Sequence, residues 1–150
     1  MKFRFIWIGK TKDQNWKALQ DDYLRRLSHF IKSEVVELKD SSPPGNPEIE
    51  GERILATLNP RTFVVLLDVI GEKISSPGLA EKIGTWQNRG LKEITFLIGG
   101  SNGVSRGVAE KADLSLSLSF LTFTHEMARV VLVEQLYRAF TIIKGFPYQK

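Results

Sequence analysis

The chain has 150 residues, 42% hydrophobic and 25% charged, the balance of an ordinary globular protein, which favours one domain over 1–150 with a real core. It has no cysteine, which excludes disulfides and thiolate metal sites, and no apolar stretch reaches the ~18 residues that span a bilayer. A formal charge of +4 favours polyanionic partners such as nucleic acid, since lysine and arginine displace counterions from phosphate, although many proteins are mildly basic without such a partner.

Phe3 to Gly9 is aromatic and β-branched and ends in glycine, which predicts a first strand. The start around it lacks the long apolar region of a signal peptide, so a cytoplasmic protein is expected. Lys10-Thr11-Lys12 forms a basic loop, and Asp13 is placed to cap a helix carrying Trp16, Leu19, Tyr23, Leu27 and Phe30 on one apolar face. Glu34 to Leu38 predicts a second strand, and the three prolines and one glycine of Lys39 to Pro47 predict a loop. A helix is expected from Pro47 to Leu58. The continuous apolar run Thr62 to Asp68 then reads as a strand buried on both faces. Ser76 as cap and Pro77 as first residue start a helix that ends near Gly90. Glu93 to Ile98 is another buried strand, Ser105 to Ala112 a short helix, and Leu114 to Leu118 a strand of alternating leucine and serine. His125 to Lys144 is a long helix, apolar over more than one face, which places it centrally or against another chain.

Strands alternating with helices imply an α/β layer with a largely parallel sheet. Ligands of such sheets bind beyond the carboxyl ends of the strands, which here means the loops Leu67–Lys73, Ile98–Gly103 and Ser119–His125. Three glycines within five residues, Gly99, Gly100 and Gly103, let the backbone approach a ligand closely; a structural turn accounts for them equally well. The dinucleotide and nucleoside-triphosphate glycine fingerprints are absent, so a nucleotide-like ligand would be held by backbone groups and apolar walls. His29 and His125 have no histidine partner at helical spacing, and metal catalysis is not expected.

Three segments together are distinctive: Phe96–Gly103, Leu118–Val130 and Glu134–Phe140. With Ile8-Gly9-Lys10, Tyr23–Leu27 and Glu50–Leu55, they closely resemble the ribosomal RNA large subunit methyltransferase H family of the SPOUT superfamily. The resemblance covers essentially the whole chain. It implies an α/β knot, in which the C-terminal segment threads a loop to form a deep trefoil. It also implies a homodimer with its active site at the subunit interface. The implied reaction transfers a methyl group from S-adenosyl-L-methionine to N3 of a pseudouridine in 23S rRNA, on the assembled 70S ribosome.

Carried over by motif, the implied cofactor contacts are Leu67, Gly99 and the segment Leu118, Ser119, Phe120, Leu121, Thr122 and Phe123. His125, Arg129 and Tyr148 are the implied catalytic residues: His125 to accept a proton or orient the substrate, Arg129 to anchor a phosphate or base edge at the pocket mouth. Two positions depart from the family pattern, with Thr124 in place of proline and Gln149 in place of histidine. Glutamine hydrogen-bonds but cannot act as a base near neutral pH. Three alternatives therefore stand beside the implied reaction: a SPOUT-like enzyme with another RNA target, a non-catalytic ribosome-binding homologue, and a metabolite-binding α/β module argued from fold class alone.

Overall fold

The computed structural model describes residues 1–148. Among them β1 (Lys2–Ile8), β2 (Lys32–Leu38), β3 (Phe63–Lys73), β4 (Glu93–Ile98) and β5 (Leu114–Ser117) form one sheet in the order β2-β1-β4-β3-β5. Every strand pairing is parallel. The helices between and after them are α1 (Gln14–Leu27), α2 (Pro47–Thr57), α3 (Ser76–Asn88), α4 (Arg106–Lys111) and α5 (His125–Lys144). This is the α/β class that strand–helix alternation implied.

The strands are covered on both faces, and their alternation sets the two cores. Phe3, Phe5 and Trp7 of β1 join Phe96 of β4 in a cluster roofed by α1, α3 and α5. Ile6 and Ile8 turn the other way, joining Leu66, Leu97 and the Ile54 and Val108 of α2 and α4. The first core is rich in aromatic contacts, with Phe3 and Phe96 edge to face at 5.2 Å, a geometry that adds to the burial of large rings.

Which helix covers which face follows from strand order. The steps β1 to β2 and β3 to β4 move one way along the sheet through α1 and α3, on the first face. The steps β2 to β3 and β4 to β5 move the other way through α2 and α4, on the second. All four crossovers thus share one hand, as the rule for parallel crossovers requires. One consequence positions the ligand sites. Chain leaving β4 turns to one face, while chain leaving its neighbours β1 and β3 turns to the other. A crevice therefore opens on each side of the β4 carboxyl end.

Local sequence explains most element boundaries. The carboxylate of Asp13 accepts from the Asn15 and Trp16 amides and starts α1, and Asn46 does the same for α2. α5 stops at Gly145, whose φ of +69° is left-handed. Some expectations are corrected. α3 is capped by Ser75, one residue before the expected Ser76. Phe30 lies beyond α1, and Leu19 is 44% exposed, while Gln20 is buried in its stead, bonded to Thr11.

The segment Leu67–Lys73, expected as a loop, belongs to β3. Leu67 and Glu72 both pair with Leu116 of β5, so the residues between them are extruded as an irregularity. No propensity signal marks such a bulge; it depends on the pairing of β3 with β5. Finally, α5 needs no second chain to explain its apolar faces. Leu132, Val133, Leu136 and Phe140 are buried in the core of this chain.

Candidate active site

The crevice between β3 and β4 is a cavity of ≈ 230 Å³ bounded by three strand ends. Leu66 and Leu67 enter from β3, Ile98 and Gly99 from β4, and Leu118, Ser119, Leu121, Thr122 and Phe123 from the segment after β5. Residues spread over more than fifty positions of sequence meet here because β3 lies between β4 and β5 in the sheet. The walls are largely apolar. Polar side chains of Asp68, Ser119, Thr122 and His125 join the walls, with glycines at 99, 100 and 103.

Gly99 is required by space. A Cβ built there would lie 2.6 Å from Val104 Cγ1 and 3.1 Å from the Gly103 carbonyl oxygen. The turn beyond it closes with the Gly103 amide donating to the Gly100 carbonyl at 3.1 Å, with Gly103 at φ +80°. Asn102 Nδ2 ties this turn to the Gly45 carbonyl at 2.7 Å. On the opposite wall, Ser117 Oγ donates to the Val69 carbonyl at 2.8 Å, pinning the end of β5 to the β3 bulge. Ser119 Oγ accepts the Leu121 amide at 3.0 Å and shapes the following turn. The cradle is held by its own bonds.

The expected cofactor residues divide. Leu67, Gly99, Leu118, Ser119, Leu121, Thr122 and Phe123 line the cavity. Phe120 is not among its lining residues; it is 59% exposed, with the Lys73 ammonium 3.9 Å from its ring centroid. Asp68, Val69, Val104 and Ala128 also line the cavity. Asp68 and Val69 fall within the expected ligand loop Leu67–Lys73, whereas Val104 and Ala128 lie just outside the three expected loops.

His125 is exposed at the first position of α5 and lines this cavity and a second one. It does not cap the helix. Thr124 does, its Oγ1 accepting the Met127 amide at 3.4 Å, a role that the proline usual in similar sequences has no hydroxyl to perform.

Arg129 lies one turn further on and is 2% exposed. Its Nη2 donates to the Ile8 carbonyl at 2.7 Å, its Nη1 to Thr11 Oγ1 at 2.9 Å, and its guanidinium lies 4.9 Å from the Trp7 ring centroid. Nε has no partner. Burial lowers the Arg129 pKa from its usual value, and the charges of Glu37 and Glu126 partly oppose this. The side chain lines the second cavity and fixes the end of β1. Arg129→Met is therefore expected to cost roughly 2–4 kcal/mol, since two charge-assisted bonds vanish and the Ile8 carbonyl is left unpaired. Thermal unfolding measures this, and an unchanged midpoint would refute the structural role.

Tyr148 is placed elsewhere. Its hydroxyl donates to Glu134 Oε1 at 2.9 Å, and its ring packs on Tyr137 and beneath Arg138. Glu134 lies nine residues along α5 from His125, about 13 Å at the helical rise. Tyr148 thus stands apart from the His125 cavity of its own chain. Burial, then bonding with Tyr23 and Glu134, raises its pKa above the ordinary tyrosine value, so the hydroxyl is a donor at neutral pH. Gln149 lies outside the described residues.

One residue beneath the glycine turn was part of the family-like segment Glu50–Leu55 but was not expected at the site. Glu50 of α2 is 2% exposed, and a side chain on Gly100 would collide with its carboxylate. Burial raises the Glu50 pKa, and the neighbouring Asp40 carboxyl raises it further. A folded-state value above the unfolded one means that ionisation erodes stability as pH climbs from about 4.3. Glu50→Gln stays neutral throughout. It should melt above the parent at pH 7 and lose that advantage near pH 4; an equal difference at both values would contradict this.

The chain is similar to known proteins along its whole length. The family described as "Predicted SPOUT methyltransferase" matches residues 1–149. A curated relative from Desulfotalea psychrophila (strain LSv54 / DSM 12343), named "Ribosomal RNA large subunit methyltransferase H", is 45% identical over 153 aligned positions covering 100% of both chains. With its parallel sheet, its cradle at three strand ends and this end-to-end similarity, the chain belongs to the ribosomal RNA large subunit methyltransferase H family of SPOUT methyltransferases.

Proposed function

We propose that the chain is an S-adenosylmethionine-dependent methyltransferase acting on N3 of a pseudouridine in 23S rRNA, on the assembled 70S ribosome in the cytoplasm. The observation that carries this reading is the convergence of Leu67, Gly99, Leu118, Ser119, Leu121, Thr122 and Phe123 on one cavity, with His125 at its rim. The residues fit the donor. Bare backbone around Gly99 and Gly103 offers amides and carbonyls to a nucleoside, Leu67 and Leu121 offer apolar walls, and no phosphate-binding motif is present. S-adenosylmethionine supplies a methyl group on a positively charged sulfur, already activated for transfer.

The chain's own task is then to position the acceptor and remove one proton. Alignment of nucleophile and methyl carbon supplies much of the rate in such transfers. His125 stands where the two cavities meet and accepts the N3 proton or orients the base. Arg129 holds the β1 end in place and, from the wall of the second cavity, anchors a substrate phosphate or base edge. Tyr148, a neutral donor remote from its own chain's cavity, completes the site of the second copy in a homodimer. The C-terminal segment is threaded as a trefoil knot, which fixes the 118–123 turn that walls the donor. Phe120 joins the donor site on ligand binding.

Mass spectrometry of 23S rRNA from unmodified ribosomes, incubated with the protein and S-adenosylmethionine, tests this. A single N3-methylated pseudouridine is expected. Methylation confined to transfer RNA would assign another target. Bound donor without any methylation would support a non-catalytic ribosome-binding homologue, the reading that Gln149 favours. Arg129→Met should keep donor affinity at the parental level while lowering RNA methylation at least about tenfold, the scale of one lost interaction of about 1.4 kcal/mol.

A further inference from the structure

The second crevice, between the carboxyl ends of β1 and β4, is a cavity of ≈ 440 Å³ that shares Gly100 and His125 with the first. Its other rim is the basic loop Lys10-Thr11-Lys12 with Trp16 of α1. Resting on the function proposed above, we propose that this cleft seats the acceptor nucleotide of the RNA, with Lys10 and Lys12 on its flanking phosphates and Trp16 against a base.

The first argument is topological. Chain exits on either side of β4 create two crevices (one on each flank), and a two-substrate transfer needs two sites meeting at a reacting centre. His125 and Gly100 are where these two meet.

The second argument is charge. Lys10 and Lys12 are exposed, and among the described residues neither ammonium makes an ion pair within 4.0 Å. Three carboxylates also line the cleft, and each already accepts backbone amides. Asp13 caps α1, Glu126 accepts from the Lys12 amide at 2.6 Å, and Asp40 accepts from the Ser41 amide at 2.9 Å. Lys12 is close enough to Asp40 to act on its carboxylate, yet both lysines keep exposed ammonium groups to offer an incoming anion.

The third argument is preorganisation. Thr11, buried between the lysines, is fixed through its amide to Glu37 at 3.1 Å and through its hydroxyl to Gln20 at 2.7 Å. With Arg129 and Glu126 bracing the same loop, little backbone order remains to be gained on binding. Arg129 lines this cleft with its guanidinium already bonded to Ile8 and Thr11, so the wall it forms is fixed before any ligand arrives. Half-buried Trp16 offers a face on which an unstacked RNA base can lie.

The test compares the parent with the Lys10→Ala/Lys12→Ala double variant, Trp16→Ala and Trp16→Phe, using unmodified ribosomes as the probe. In the double variant KM for ribosomes should rise at least about tenfold, and the slope of log binding constant against log salt should shrink by roughly 1.4–1.8, the release expected from two phosphate contacts. Trp16→Ala should weaken ribosome binding by about 5- to 150-fold, the range of one lost base stack, and Trp16→Phe should recover most of it. S-adenosylmethionine affinity at the parental value certifies the fold of each variant. A double variant with parental KM and salt slope, or Trp16→Ala binding as well as Trp16→Phe, overturns the cleft and leaves the proposed function standing. A parent that methylates no ribosomal RNA overturns the proposed function by itself, and the cleft is then judged on the ribosome binding of the same variants.

Discussion

Gly99→Val should lower S-adenosylmethionine affinity by at least about 100-fold, some 2.7 kcal/mol of binding free energy, and should also destabilise the fold. The two losses share one cause. The missing Cβ faces Val104 and the Gly103 carbonyl, both part of the cavity wall, so the valine strikes the turn itself and pushes it out of shape. Overpacking of this kind costs roughly 1–3 kcal/mol, or some 2–12 °C in melting temperature for a chain of this size. A variant that simply filled the donor site would lose binding and keep its stability. Calorimetry together with thermal unfolding separates the two, and trimming the neighbour in Gly99→Ala/Val104→Ala should recover part of both losses. Parental affinity in Gly99→Val would remove this turn from the donor site.

The second large effect is expected at Gly71, which no motif singled out. A Cβ there would lie 2.8 Å from backbone atoms of Leu116 and Ser115. Backbone cannot swing aside as a side chain does, so Gly71→Ala must move β5 away from β3. β5 is a four-residue edge strand whose one partner is β3, and it leads into the 118–123 segment. The substitution should therefore cost about 3 kcal/mol or more and abolish donor binding, although Gly71 is outside the residues lining that cavity. Hydrogen exchange checks the location of the damage. Amides of β5 should lose protection while those of β1 and β4 keep theirs; uniform loss would point to global unfolding in place of a local one.

These two glycines show what the sequence could and could not reveal. Gly99 was visible because it closes a buried apolar strand and sits in a glycine-rich turn, so the strand-end rule alone made it a candidate. Gly71 was invisible because its need comes from a neighbouring strand 45 positions later, brought alongside by sheet order. The same contrast separates the catalytic candidates. His125 begins a helix with an obvious start, so its position at a strand-end crevice was predictable. Arg129 was expected at the pocket mouth, yet it turns inward to Ile8 and Thr11, because the adjacent β1 end presents an unpaired carbonyl there. Continuous apolar runs located the strands Thr62–Asp68 and Glu93–Ile98. They missed the β3 bulge and the burial of Glu50, which depend on contacts between distant segments.

The account rests on the donor occupying the cradle at the ends of β3, β4 and β5, and amide chemical shifts followed by NMR during titration with S-adenosylmethionine test that most directly. Saturable shifts are expected at Gly99, Gly103, Leu118, Ser119, Thr122 and Phe123, with the amides of α2 unmoved. A titration that leaves those six amides in place, whether or not others respond, would contradict it.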